Sequence, residues 1–318
     1  MSRLSRQLGL PRRSRFTGPL RRMLMAFEFP LRAPSTPGGV APRITPSTVG
    51  ANYDTNWARS TPARVARAAL VEGPMRLAVA GLAAPERSGT DRLADVDGPL
   101  IFAANHHSHL DTPLLLTSIP EPWRHRTVVA AAADYFFPNR VAATFSALTI
   151  GAVPIERNKV GRRSADLAAK LLDEGWSLLI YPEGGRSPDG WGQEFRGGAA
   201  YLSARTGVPV APIHLAGTGR ILRKGRRLPR PSHTTVTFGR PLRPLDGENA
   251  NRFATRIERE VAGLADEATS TWYQARRRAY ADATPGLTGP ETGRWRRAWA
   301  LGDRQRGAKP RARLWPDL

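Results

Sequence analysis

The sequence predicts an α/β fold, with a central mostly parallel or mixed sheet flanked by helices. Three observations predict it. Short apolar runs of strand length recur from residue 100 onward. Helical stretches separate several of them. The runs are apolar nearly throughout rather than alternating, as strands buried on both faces are.

Taken in order, residues 1–60 read as a flexible, basic, Pro/Ser-rich tail, and residues 1–35 carry eight arginines against Glu28 alone. Within it the stretch 20–29 (LRRMLMAFEF) suits an interfacial helix and equally a disordered basic arm. Residues 62–83 space Val65, Ala68, Ala69, Met75, Leu77 and Ala78 loosely as a helix does, and Gly73–Pro74 is expected to break it into two pieces. Strands are expected at 100–104, 127–132, 152–155, 177–181, 208–215 and 234–238. Helices are expected at 164–174, stopped by Gly175, and at 198–206, closed by Gly207. Residues 251–281 read as one long amphipathic helix that packs by Phe253, Ile257, Val261 and Leu264. Residues 284–318 read as a second basic tail, with Trp295, Trp299 and Trp315 among its arginines. The folded domain is thus expected over 61–283, with a motif core at 95–240.

Composition narrows the function. Of 318 residues 41% are hydrophobic, enough for a real core. The net charge of +21 favours anionic partners: nucleic acid, an anionic membrane face or phosphorylated substrates. The absence of cysteine excludes a disulfide framework, a thiolate metal site and a Cys nucleophile. No stretch reaches the ~18–20 uninterrupted apolar residues that span a bilayer, and no apolar run before a small-residue cleavage site marks a signal peptide. The expectation is a protein that touches membranes without crossing them.

Three motifs carry chemistry. The strongest is Asn105-His106-His107-Ser108-His109-Leu110-Asp111, directly after the first apolar strand. One turn brings a His and an Asp five residues later together. The carboxylate then fixes one ring nitrogen and leaves the other to take a proton. This is the base-and-orienter half of a catalytic triad without its Ser, so the nucleophile would be a substrate hydroxyl. The second motif is Tyr181-Pro182-Glu183-Gly184-Gly185-Arg186-Ser187, also at a strand end, where Arg suits a phosphate and glycines allow close backbone approach. A plain strand-to-helix turn is the simpler reading of that motif taken alone. The third is the run 151–158, whose Glu156 and Arg157 are followed by Lys159, Arg162 and Arg163, a phosphate grip or a solvated cluster.

In this order the motifs resemble the glycerolipid acyltransferase family, which includes the 1-acylglycerol-3-phosphate and glycerol-3-phosphate acyltransferases. Its first block, Asn-His then Asp after four residues, is matched by Asn105, His106 and Asp111. Its block Phe-Pro-Glu-Gly-Thr-Arg-Ser is matched from Tyr181 to Ser187. Gly151, Ile155, Glu156 and Arg157 match Gly-x-x-Phe-Ile-Asp-Arg, and Val208-Pro209-Val210-Ala211-Pro212 looks like a fourth, apolar block. Gly185 replaces the usual Thr, Pro154 stands where an aromatic is common, and Glu156 replaces Asp.

The resemblance implies a glycerol-3-phosphate acyltransferase-like fold and direct acyl transfer. His106 would be general base and Asp111 its partner, with Asn105, Arg157, Glu183, Gly184, Gly185, Arg186 and Ser187 binding substrate. The expected partners are a lysophospholipid acceptor, acyl-CoA or acyl carrier protein as co-substrate, and an anionic membrane surface. No cofactor and no metal are expected, and the location expected is cytoplasmic, peripheral on the inner face of the cell membrane. Zinc on the crowded His106, His107 and His109, two of them with one Asp, is weighed and set aside, because there is no Cys and no second ligand pair has recognisable spacing. Nucleic acid is the disfavoured partner, since the basic ends with Trp suit a lipid headgroup layer equally. A different acceptor, such as a glycolipid or amino-acid lipid, and a catalytically silent binding protein remain the alternatives. His125, His214 and His233 are expected to be structural.

Overall fold

A computed structural model of the chain describes residues 50–156, 162–187, 190–222 and 228–289. The stretch 20–29, Arg157 and the three C-terminal tryptophans lie outside the described residues.

Seven strands among the described residues form one mixed sheet: β1 (Pro85–Ser88), β2 (Ile101–Ala104), β3 (Thr127–Ala132), β4 (Ala152–Ile155), β5 (Ser177–Ile180), β6 (Val210–Ala216) and β7 (Thr234–Phe238). Their spatial order is β1-β7-β6-β2-β5-β3-β4. Strands β6, β2, β5, β3 and β4 run parallel. β7 opposes β6, and β1 follows β7. Five carboxyl ends therefore open on one edge of the sheet, and three of the five, those of β2, β4 and β5, lead into a sequence motif. Six strands coincide with apolar runs of the sequence. β1 does not: Pro85-Glu86-Arg87-Ser88 is a polar, mostly exposed edge strand that only its pairing with Thr234–Thr237 defines.

The helices are α1 (Thr61–Leu70), α2 (Arg76–Ala83), α3 (Asp111–Ser118), α4 (Arg140–Ile150), α5 (Arg162–Asp173), α6 (Gly198–Thr206), α7 (Ala250–Thr269) and α8 (Trp272–Tyr280), with single helical turns at Ala133–Phe136 and Thr218–Ile221. Side chains alternate across the sheet. Ile101 and Ala103 join Leu171, Leu178, Phe253, Ile257 and Val261 on one face. Phe102 and Ala104 join Leu114, Leu115, Leu179, Ile213 and Phe238 on the other. The expected α7 stripe is buried, Leu264 included. Each such side chain stabilises the fold by roughly 1.5–3 kcal/mol relative to exposure.

Four boundaries differ from expectation. Gly73–Pro74 does not break the first helix. A π-helical turn, Val71–Met75, joins α1 to α2 and gives the proline ring room, while the Arg76 N–H donates to the Gly73 and Val71 carbonyls. The helix expected over 251–281 is two. Ser270 leaves helical space (φ −131°, ψ −140°), and Thr271 caps α8 by accepting from the Gln274 N–H at 3.3 Å. The Arg278 guanidinium then donates to buried Asp266 at 2.7 Å and folds α8 against α7. At the front, packing extends ahead of residue 61. Tyr53 is buried, stacks obliquely on Phe137 (5.8 Å) and bonds the Thr144 hydroxyl at 2.9 Å. At the back, packing continues past 283 to Leu287, whose side chain meets the core and whose carbonyl accepts the Gly192 N–H at 2.9 Å.

Candidate active site

β2 ends at Ala104, and Asn105 turns the chain into the first motif. Its Nδ2 donates to the Leu215 carbonyl at 2.9 Å and its Oδ1 accepts the Leu215 N–H at 2.7 Å. The side-chain amide thus adds one more rung between β2 and β6. Asn105 is 1% exposed and spends its side-chain amide on Leu215, so it positions the loop.

His106 stands at the carboxyl end of the central strand, where open α/β sheets bind ligands. Its Nδ1 lies 2.8 Å from Asp111 Oδ2. The same Oδ2 accepts the N–H groups of His107 (2.7 Å) and Ser108 (2.8 Å). Asp111 is the first residue of α3 and fully buried. Burial pushes its carboxyl up. The His106 hydrogen bond and charge, the Ser108 N–H and the Thr218 hydroxyl outweigh that and hold it below the ordinary value. It stays ionised, so Nδ1 carries the proton and Nε2 carries the lone pair. The ring is 17% exposed, enough to reach a substrate atom through Nε2. Tyr181 covers one ring face, with centroids 4.1 Å apart and planes 17° from parallel.

The Tyr181–Ser187 motif follows β5, the neighbour of β2, and its polar side chains mostly brace the first loop. Glu183 is 2% exposed. Its Oε1 accepts the His106 N–H at 2.8 Å and its Oε2 the Gln193 N–H at 2.9 Å. The Ser187 N–H donates to the His106 carbonyl at 2.8 Å, while its Oγ accepts the Gly190 N–H at 2.8 Å. Gly184 turns through φ +72°, and a Cβ there would press on the Arg196 guanidinium at 3.1 Å. The Gly185 carbonyl accepts from Gln193 Nε2 at 3.2 Å. Glu183 and Ser187 are buried, and these hydrogen bonds brace the backbone of the two loops.

Arg186 is half-buried, and its charge reaches His109. Burial first, then the charges of Arg186 and His106, pull His109 down to about 4, so it is neutral near pH 7. His109 Nε2 shares a 2.9 Å hydrogen bond with the Tyr135 hydroxyl, and the two rings stack at 5.5 Å. Tyr135 arrives on the turn after β3. The structure therefore gathers His106, Asp111, Glu183, Gly184, Gly185, Arg186 and Ser187 at one edge. Arg157 lies outside the described residues. Glu156, just before it, is exposed after edge strand β4, where buried Pro154 is tolerated because β4 has one neighbour.

Sequence reasoning missed the Tyr181 ring as a neighbour of the base, Thr218 beside Asp111, Gln193 under the glycines, and Tyr135. His125 has partners after all: its Nε2 lies 3.2 Å from Glu72 and 3.4 Å from Glu121. Among the described residues this trio is the cluster of ligating side chains close enough to share an ion, and Arg124 Nη1 already bridges its carboxylates at 3.1 and 3.4 Å. His214 is buried on β6. Burial, then the charge of His107, lowers it to about 4.

Residues 84–216 match the Acyltransferase family model, a span that runs from β1 to the end of β6 and holds all the motifs. Within that span the chain is similar to acyltransferases of glycerolipids. A 1-acyl-sn-glycerol-3-phosphate acyltransferase of Chlamydomonas reinhardtii is 31% identical over 179 residues, 55% of this chain and 51% of the relative. A chloroplastic 1-acyl-sn-glycerol-3-phosphate acyltransferase of Brassica napus is 33% identical over 140 residues, 43% of this chain and 38% of the relative. The chain thus spans about half the length of these curated acyltransferases, or less. The fold is similar to that of the 1-acyl-sn-glycerophosphate acyltransferase PlsC from Thermotoga maritima, with TM-score 0.54 and 24% identity over 67% of this chain and 85% of that one.

Proposed function

We propose that this chain is an O-acyltransferase of phospholipid biosynthesis. It transfers a fatty acyl group from acyl-CoA or acyl carrier protein to the hydroxyl of 1-acylglycerol-3-phosphate, giving phosphatidic acid. The observation that carries the chemistry is the His106 Nδ1–Asp111 Oδ2 pair at 2.8 Å with Nε2 on the open side. Nε2 takes the proton of the acceptor hydroxyl as its oxygen attacks the thioester carbonyl. The C–O bond forms, the C–S bond breaks, and the imidazolium returns the proton to the leaving thiolate. Asp111 stabilises that imidazolium. No acyl-enzyme forms and no cofactor takes part. The names of the relatives support the acceptor. Arg186, together with Arg157, is assigned to the acceptor phosphate.

Work at the inner face of the cell membrane, from the cytoplasm and without a spanning segment, completes the proposal. Its supports are the +21 charge and the exposed Trp272, Tyr273 and Tyr280 on α8, with Arg276 over Trp272 and Arg277 over Tyr273. No helix among the described residues is long and apolar enough to cross a membrane. The test is acyl transfer from a long-chain acyl-CoA, and separately from acylated carrier protein, to lysophosphatidic acid on anionic vesicles. The wild type is expected to form phosphatidic acid, and His106→Ala to lose about 10²–10⁴-fold in turnover. Equal turnover in the two proteins would remove His106 from the chemistry. Transfer to a glycolipid but not to lysophosphatidic acid would replace the acceptor.

A further inference from the structure

We infer that Tyr181, anchored by Thr112, is a positioning residue that holds the His106 ring in its catalytic plane and stabilises its protonated form through its π face. In its effect on turnover the inference rests on the acyl-transfer reading above. The geometry comes from two motifs that are 70 residues apart in sequence. Tyr181 is the first residue after β5, and its ring lies over the His106 imidazole at 4.1 Å and 17°. Its hydroxyl shares a 3.0 Å hydrogen bond with Thr112 Oγ1, and Thr112 follows Asp111 directly at the start of α3. The imidazole is thereby fixed twice. Asp111 grips Nδ1 in the ring plane, and Tyr181 covers the face. Both grips trace to adjacent residues of one helix, so they move together.

The electrostatics point the same way. A cation over an aromatic face is attracted to the ring quadrupole, and His106 becomes a cation only when it takes the acceptor proton. Tyr181 then favours the charged state of the base over the neutral one, so its contribution grows towards the transition state. Burial, then the charge of Asp111, push the Tyr181 phenol well above its ordinary range, against the opposing pull of Thr112. The ring therefore stays neutral. Among the described residues the charged or titratable groups about His106 include Asp111 from α3, Glu183 on its backbone N–H, His109 from its own loop and, acting on His109, Arg186. The family pattern at this position is Phe, which stacks but has no hydroxyl.

The experiment compares the full chain with Tyr181→Leu, Tyr181→Phe and Thr112→Val. In histidine-labelled protein, with the His106 signals assigned through His106→Gln, the ring C–H resonances of His106 should lie upfield in the wild type. They should stay so in Tyr181→Phe and move downfield in Tyr181→Leu. In the transfer assay Tyr181→Leu should lower kcat about three- to tenfold with KM little changed. The acid limb of its pH–rate profile should move to lower pH, because its base is less readily protonated. Tyr181→Phe and Thr112→Val should each lower kcat about twofold, through a looser ring. Unshifted His106 resonances in Tyr181→Leu would overturn the stack. A wild-type kcat and acid limb in that variant would overturn the role, and wild-type kcat in both anchor variants would overturn the anchor. Should the wild type transfer no acyl group at all, the acyl-transfer reading falls, and the resonances still decide the stack. If Tyr181→Leu does not fold, the two anchor variants decide between a held and a passive ring.

Discussion

Asp111 and Glu183 are both buried carboxylates at the ends of neighbouring strands, and they do opposite work. Asp111 directs its charge at a side chain as well as at two backbone N–H groups: Oδ2 fixes the tautomer of His106 and stabilises its protonated ring. Glu183 directs its charge at the backbone, with one oxygen on the His106 N–H and the other on the Gln193 N–H. One carboxylate tunes the base and the other holds the floor beneath it. A motif can be matched residue for residue and still leave open which of its acids faces the chemistry.

The contrast predicts different failures. Asp111→Asn should lower turnover about a hundredfold or more, with KM nearly unchanged, because the imidazolium loses its counter-charge. An effect confined to KM would place Asp111 with Glu183 among the supports. Glu183→Gln should act chiefly on stability. Its amide NH₂ must face one of two backbone donors, a cost of about 1–3 kcal/mol read as a lower Tm, with activity falling as the loop loosens. A large loss of kcat at unchanged Tm would instead put Glu183 in the chemistry. Asn105→Ala leaves the Leu215 N–H and carbonyl without their partner, and about 1–2 kcal/mol of destabilisation is expected in urea unfolding. A pH-dependent effect concerns His214. Its folded value of about 4 lies below the ordinary 6.5, so the unfolded chain binds more protons between those values. Stability should fall as pH drops from about 6.5 to about 4 and level off below, and His214→Gln should flatten that slope. An unchanged slope would assign the acid sensitivity elsewhere.

Much of this fold was legible because its strands are buried on both faces and read as continuous apolar runs. β1 escaped because Glu86, Arg87 and Ser88 face solvent and only a distant partner makes them a strand. Pro74 misled because a π turn absorbs it, and the α7–α8 break was hidden because Ser270 and Thr271 are ordinary residues whose capping role depends on geometry. In the site, His106 and Asp111 were legible because the pair is local. The duties of Asn105, Glu183 and Ser187 were not, because their partners are backbone atoms, for Asn105 110 residues away. Amino-acid type carries no signal for backbone partners.

The short stretch after α8 has a bearing on how this protein can be shortened. Leu287 holds the Gly192 backbone, and Gly289 lies so close to the Trp191 ring that a Cβ would come within 2.6 Å. The next residue along, Gln193, ties down Glu183 and the Gly185 carbonyl. A chain ended after α8 would keep every motif residue and every strand among the described residues, yet lose the buttress behind the Tyr181–Ser187 motif. The border of this protein's working part is drawn by a glycine against a tryptophan, well beyond residue 216, where the Acyltransferase family model ends.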